Sequence, residues 1–370
     1  MPEPKNLIEL KAEKWVHNGY CLAFYKGETY FLSGAIPGEK VLAKLIYNSK
    51  KFKQAVVKKV LETSDKRIES DCPVFLDCGG CAYRHISYTE EKEIKKQLFI
   101  EQTGLRPTEI ISAEPEGYRN NAQLKVDYPA IGFYRYNTNQ LVNIRELGCK
   151  NLPVELNKFY AKRQEKITEY KLRLDDKGII NYAKKESQYK YGNISVRVPA
   201  NGFFQVNRFL IPGWLDKIKS FVPVSAAVLE LFSGCGLIGL YIADKIKSLR
   251  GYELDENSVK YSYINAEANK ISNIDFTKID LYHREIKEQD AKRDVYIMNP
   301  PRAGLDKLIV ETILKFKPKT LIYSSCNYAT LSRDIRPLIE SKTYKVKDCL
   351  LFDFFPRTQH FECLIVLEKS

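Results

Sequence analysis

No apolar run in this 370-residue chain approaches the roughly 18 residues that a membrane-spanning helix needs. The opening residues, Met1 to Lys5, lack the basic-then-apolar pattern of a secretory signal. Internal repeats and low-complexity tracts are missing as well. Cysteine is present, but the count is nine, an odd number. Without a secretion signal, that argues against a disulfide framework and for reduced thiols. Histidine is scarce, with 4 residues, and acids fall short of bases, 46 Asp+Glu against 59 Lys+Arg. A secreted or membrane-embedded protein is not expected; a cytoplasmic one is.

What is present belongs to a folded chain: 44% apolar and 28% charged residues exclude the disordered class. At roughly 150 residues per domain, the length suggests two or three domains. The formal charge of +13 suits a polyanionic partner such as nucleic acid; the competing reading is solubility charge spread over the surface.

Residues 20–25, 29–32 and 41–47 read as short strands divided by turn residues, which predicts a small β-barrel. Residues 40–67 carry nine Lys/Arg against two acids, with Tyr47 and Phe52 interleaved and Tyr30 on the strand-like run before them. Bases and aromatics on a barrel can grip single-stranded nucleic acid. The bland reading is a charged edge that discourages strand aggregation. From about 110 to 200 the signals are mixed, as in an α+β segment. Beyond 200, strand-like runs at 228–232, 249–253, 294–298 and 320–324 alternate with helix-like segments, which predicts a parallel, doubly wound sheet.

Three cysteines crowd into ten residues as Cys72-x5-Cys78-x2-Cys81, with Gly79 and Gly80 letting the backbone curl. Cys149 is available as a fourth ligand. Four thiolates suit zinc or an iron–sulfur cluster, and the uneven spacing leans toward [4Fe–4S]. Gly234, Gly236 and Gly239 match G-x-G-x-x-G between a strand and a helix, and Glu253 falls where a carboxylate grips ribose hydroxyls. A dinucleotide and S-adenosylmethionine both fit such a loop. Asn299-Pro-Pro-Arg302 at a strand's carboxyl end favours the latter, because nucleic-acid methyltransferases carry a base-contacting motif there.

The next strand ends in Ser325, Cys326 and Asn327, which places a thiol in the same crevice. Its nucleophilic form is the thiolate, so a nearby Arg302 or Arg333 would matter. Glu362 stands at the mouth of a further strand, a candidate proton acceptor. One thiol and one carboxylate are the minimum equipment for methylating C5 of a pyrimidine, a poor nucleophile until a thiolate adds at C6.

Together these residues resemble the RNA (uracil-5)-methyltransferase family, in particular members with an N-terminal TRAM domain and a [4Fe–4S] cluster. Residues 35–39 resemble the TRAM part, residues 71–81, 132–134 and 148–149 the cluster part, and 203–207, 325–334 and 360–362 the catalytic part. The resemblance implies a TRAM/OB-like β-barrel (residues 1–64), a central α+β iron–sulfur domain (65–200) and an α/β Rossmann-like methyltransferase domain (201–370). It implies a cluster on Cys72, Cys78, Cys81 and Cys149. It implies S-adenosylmethionine contacts from Gln205, Phe232, Gly234, Gly236, Glu253, Asp280 and Asn299, and base contacts from Phe203, Asn299 and Arg302. Cys326 is the implied nucleophile and Glu362 the implied base. The expected reaction is C5 methylation of a uridine in structured RNA, in the 23S ribosomal molecule first and transfer RNA second, by a monomer. Two positions depart from the family pattern: Asn299 stands where Asp is usual, and Leu237 where a polar residue occurs. Because an amide both donates and accepts, Asn299 leaves cytosine C5 or an exocyclic amine open as targets. A non-catalytic RNA-binding module is the alternative of a different class.

Overall fold

The computed structural model describes residues 7–136, 138–164 and 167–370. Its first part is one sheet of six strands: β1 (Leu7–Lys11), β2 (Lys14–Val16), β3 (Tyr20–Tyr25), β4 (Glu28–Ser33), β5 (Lys40–Asn48) and β6 (Lys53–Glu62). The order is β1-β5-β6-β4-β3-β2, antiparallel except between β4 and β6. Lys26 and Gly27, both at positive φ, make the tight turn between β3 and β4. Alternation does the rest: β4 turns Tyr30 and Leu32 inward, and β5 turns Val41 and Ala43 inward. β1 returns to lie against β3, which curls the sheet round a small core that includes Leu10, Cys21 and Val57.

The helix α1 (Tyr88–Thr103) follows, started by Ser87, whose hydroxyl accepts from the Glu90 amide, and stopped by Gly104 at φ 74°. Then come β7 (Glu109–Ile111), β8 (Asn121–Asp127), β9 (Ala130–Tyr134), β10 (Leu141–Asn143), α2 (Val154–Ala161), β11 (Glu169–Asp175) and β12 (Gly178–Asn181). Five of these strands pair in the order β10-β9-β8-β11-β12, and α2 buries Leu156 and Tyr160 against them. A hairpin of β13 (Ser187–Tyr191) and β14 (Ile194–Val198) closes this stretch.

The remainder runs α3 (Ile211–Phe221), β15 (Ala227–Leu231), α4 (Leu237–Ile242), β16 (Ser248–Glu253), α5 (Glu256–Ala268), β17 (Ile274–Lys278), α6 (Glu288–Ala291), β18 (Val295–Met298), α7 (Lys307–Phe316), β19 (Thr320–Ser325), α8 (Tyr328–Glu340), β20 (Tyr344–Phe352) and β21 (Glu362–Lys369). The sheet order is β17-β16-β15-β18-β19-β21-β20-β7. β15 to β19 are parallel, and their order reverses between β15 and β18, which opens a crevice at their carboxyl ends. The expected all-parallel sheet is corrected at one edge. β21 inserts antiparallel between β19 and β20, since a 9-residue loop from β20 returns the chain directly rather than through a crossover helix.

Two pieces of the stretch expected as a middle domain pack with the last part. β7 pairs with β20, and Val196 and Val198 of β14 share a core with Trp214 and Val228. The first part docks as well: His17 Nδ1 lies 2.6 Å from the Tyr328 hydroxyl. A buried ionic group joins α1 to the loop before β21, Lys95 reaching Glu91 and Asp353 at 2.7 Å each. Among the described residues no helix is long and apolar enough to cross a membrane.

Candidate active site and cysteine quartet

A cleft of about 880 Å³ opens at the switch point. Gln205, Phe232, Gly234, Glu253, Asp280 and Asn299 line it, and so do Phe203, Arg302, Cys326 and Glu362. Gly236 stands behind this wall. Its φ of 86° turns the loop into α4, and a Cβ there would come within 3.0 Å of the Phe276 ring. Phe232 also takes a positive φ, 63°, and its ring meets Tyr282 at 5.9 Å. Glu253 fastens the floor: one oxygen accepts from the Gly234 amide at 2.9 Å, the other from the amides of Leu254 and Asp255 at 2.8 and 2.9 Å. Asp280 accepts from His283 and from the Tyr282 amide, and these bonds hold its carboxyl below the usual range. Gln205 is buried, while Phe203 is 76% exposed at the rim, an unusual position for a phenylalanine. Leu237 lines the cleft with no polar group to offer.

Cys326 follows β19 directly, and Asn327 caps α8 by accepting from the Ala329 amide. Burial pushes the Cys326 thiol up to about 11, the charge of Glu362 adds to that rise, and Arg302 opposes it by charge and hydrogen bond. Arg302 is anchored through its carbonyl, which accepts from Asn327 Nδ2 at 3.0 Å and Thr330 Oγ1 at 3.2 Å. Its Nη2 sits 3.0 Å from His360 Nε2. Burial and the surrounding cations, Arg302 foremost, depress His360 to about 3, so the imidazole is neutral and accepts from the guanidinium. Glu362 is 3% exposed, and burial pushes its carboxyl up to about 7 against the opposing hydrogen bond of Ser324. A carboxylate poised near neutrality is suited to proton transfer.

Arg333 does not face the thiol as one expectation had it. Its guanidinium pairs with Asp334 and the carbonyls of Ala303 and Leu305. Sequence reading also missed Ser324, which donates to Glu362, and Trp214, which donates to Ser324. Ser324 is a strand residue whose fully buried side chain looks like any small core group, and Trp214 lies 110 residues away from it. One of only 2 tryptophans in the chain was the available signal.

The four cysteines of the middle part are all half-buried. Burial raises Cys78 to about 11 and Cys149 to about 12, and each rises further through the charge of other members of the set. Arg84, 2% exposed, fixes this corner: Nη1 donates to both oxygens of Asp71 at 2.8 and 3.0 Å, and Nη2 donates to Asn151 at 2.7 Å. Asn151 in turn donates to Cys81 Sγ at 3.4 Å. Thiols are the donor type that an iron–sulfur cluster takes, but their placement does not assemble the expected site. Among the described residues no group of three or more His, Cys, Asp or Glu side chains is placed to hold a metal ion.

On the curled sheet, Lys40, Lys53, Lys58, Lys66 and Arg67 are tied up in ion pairs with Glu9, Glu28, Asp77, Glu90 and Glu39. Lys44, Lys50, Lys51 and Lys59 make none among the described residues. Tyr30, expected among the surface aromatics, is core at 2% exposure because β4 alternates it inward. Tyr47 is exposed and packs on Phe52 at 5.5 Å, and Phe24 and Tyr25 are exposed aromatics that the sequence reading passed over.

This chain is similar to known proteins over most of its length. The family model described as tRNA (uracil-5-)-methyltransferase matches residues 139–370, well over half of the chain. An uncharacterized RNA methyltransferase of Leptospira interrogans is 39% identical across 99% of this chain and 96% of its own length. The 23S rRNA (uracil(1939)-C(5))-methyltransferase of Aliivibrio fischeri is 27% identical across 95% of this chain and 94% of its own. The crystal structure of Pyrococcus abyssi tRNA (uracil-54, C5)-methyltransferase, solved with S-adenosyl-L-homocysteine, superposes with a TM-score of 0.77 at 21% identity, covering 97% of this chain and 99% of that one. The chain belongs to the tRNA (uracil-5-)-methyltransferase family and is an S-adenosylmethionine-dependent RNA (uracil-5-)-methyltransferase.

Proposed function

We propose that this enzyme methylates C5 of one uridine in large-subunit ribosomal RNA, with Cys326 as nucleophile and Glu362 as general base. The observation that carries the reading is that thiol, guanidinium and buried carboxylate share one cleft with the glycine loop. The target base leaves its stack to enter the cleft, as enzymes acting on bases require, and Phe203 at the rim is the surface it passes. Cys326 adds to C6, with Arg302 as the countercharge that favours the thiolate. S-adenosylmethionine supplies the electrophilic methyl group for the C5 carbon so activated. Glu362 then takes the C5 proton, the C5–H electron pair re-forms the C5=C6 double bond, and the thiolate leaves. The amide of Asn299 accepts the N3–H of uracil, which an amide oxygen does without charge.

The ribosomal target rests on the similarity to the Aliivibrio enzyme along nearly the whole chain. The transfer-RNA reading has the Pyrococcus fold behind it. The curled sheet within residues 1–64 is the RNA grip, through Lys44, Lys50, Lys51 and Lys59 beside exposed aromatics. Residues 65–200 carry a [4Fe–4S] cluster on Cys72, Cys78, Cys81 and Cys149, structural in role because no methyl transfer calls for an electron. Residues 201–370 hold the methyl donor, and the enzyme works as a monomer in the cytoplasm.

The test is reaction of total RNA from a strain lacking this gene with the purified enzyme and labelled methyl donor. Nucleoside mass spectrometry is expected to find 5-methyluridine, with the label in the large ribosomal RNA. Label in the transfer-RNA fraction overturns the ribosomal target, and a methylated cytidine or adenosine overturns the base assignment.

A further inference from the structure

Glu362 meets a specific difficulty. A carboxylate 3% exposed, set among strands, loses its water and favours its protonated form. A protonated acid has no room for the C5 proton. Its hydrogen bonds therefore decide whether it is a base at all.

The structure supplies one bond, with a direction. Ser324 Oγ lies 2.6 Å from Glu362 Oε1, and Trp214 Nε1 lies 3.0 Å from Ser324 Oγ. All three side chains are buried. An indole N–H only donates, and a serine hydroxyl has one proton to give. Trp214 thus occupies a lone pair of Ser324, and the serine's proton points at Glu362 Oε1. The bond is short, as charge-assisted bonds to carboxylates are. Among the described residues Oε2 accepts no protein hydrogen bond, and Glu362 borders the cleft.

We infer that Trp214 and Ser324 are positioning residues that keep Glu362 ionised with Oε1 held, so that Oε2 is the oxygen that receives the C5 proton. The inference rests on the proposed role of Glu362 as base. Three elements contribute to this relay: Trp214 from α3, Ser324 from β19 and Glu362 from β21. Other titratable groups near it are accounted for. Cys326 and Cys363 feel the charge of Glu362. Arg302 turns toward Cys326 and His360, and Asp353 is engaged by Lys95 and Tyr88. None of them offsets burial at Glu362; Ser324 does.

The test follows two signals against pH, with saturating RNA and methyl donor: the covalent enzyme–RNA adduct on denaturing gels, and released methylated RNA. In the native enzyme, adduct accumulates only where Glu362 is protonated. Ser324→Ala removes a bond to a charged group, so the acidic limb of product release moves up by about one pH unit or more. Adduct then persists at neutral pH. Ser324→Thr, which keeps the hydroxyl, restores the native limb. Trp214→Phe frees the serine proton to rotate and moves the limb in the same direction by less; it also serves should Ser324→Ala fail to fold. Glu362→Gln separates the two ideas by accumulating adduct at every pH. If Glu362→Gln accumulates adduct while the Ser324→Ala and Trp214→Phe limbs stay at the native pH, the relay is wrong and the base stands. If Glu362→Gln releases product at the native rate, the base reading falls and the relay falls with it.

Discussion

The molecule holds cysteine in two settings that share their ingredients and differ in how they use them. Cys72, Cys78, Cys81 and Cys149 are four half-buried thiols, with Arg84 beside Cys81. At Cys326, one half-buried thiol stands beside Arg302. Burial lifts Cys78, Cys81 and Cys149 in the first place and Cys326 in the second, and an arginine pulls against it at Cys81 and at Cys326. The arginines are not equivalent. Arg84 is sunk in the protein with its charge already answered by Asp71 and its second arm spent on Asn151. Arg302 lies at the surface, makes no ion pair among the described residues, and leans on a neutral histidine. A cation with a fixed partner builds a frame; a cation with none is available to an anion that comes and goes. On the proposed roles, the number of thiols and the freedom of the neighbouring charge, rather than thiol burial, would separate a ligand set from a nucleophile.

The largest effect is expected at the single thiol. Cys326→Ala should cut methylation by on the order of 10⁴-fold or more, as loss of a covalent nucleophile does elsewhere, and should abolish trapping by RNA that carries 5-fluorouridine. The fold should remain, because Cys326 belongs to no strand ladder and only precedes the α8 cap. Single-turnover assays and a melting curve measure both. Appreciable turnover would move the nucleophile elsewhere and remove one side of the comparison.

Cys81→Ser should give the reverse pattern. Protein purified without oxygen is expected to be brown with about four irons per chain, as cubane ligation by four thiolates implies. The variant should lose iron and melt at lower temperature, while molecules that remain folded still trap 5-fluorouridine RNA. Colourless native protein carrying one zinc per chain would break this half of the comparison.

How much of this could be read from the chain depends on sequence distance. Gly234 to Gly239, Cys326 and Glu362 announce themselves because each sits in a contiguous motif at the carboxyl end of a strand or the mouth of the next, where local pattern and proposed role coincide. The hairpin at Lys26 and Gly27 is legible for the same reason. What escaped is long-range. β7 has 3 residues and no pattern of its own, and it becomes a strand only because β20 offers an edge. β21 reads as a strand but not as an antiparallel one, since direction is set by a loop rather than by side chains. Ser324, Trp214 and Glu362 meet across 110 and 38 residues of sequence. Arg302 and Arg333 were equal candidates for the thiol's countercharge until Asp334, one residue from Arg333, claimed it.

The smallest effects discriminate most finely, because one substitution can be made at both arginines. Arg84→Lys keeps the charge but loses the fork: an ammonium does not reproduce two bonds to Asp71 and one to Asn151 from a buried position. Leaving a buried acceptor unpaired costs roughly 1–3 kcal/mol, and a lowered melting temperature with slower iron retention should show it. Arg302→Gln removes the charge that opposes the rise of the Cys326 thiol. The thiolate then becomes scarcer at any given pH, and the rate of adduct formation should climb only at more alkaline pH than in the native enzyme. Arg302→Lys should restore most of that rate, to within about ten-fold of native, since the anchoring bonds run to the main-chain carbonyl of residue 302 and survive the exchange. Lysine is therefore costly where the guanidinium is a strut and nearly free where it is a mobile countercharge. The opposite ranking, with Arg84→Lys silent in melting and Arg302→Lys as slow as Arg302→Gln, would mean that shape rather than charge matters at the nucleophile.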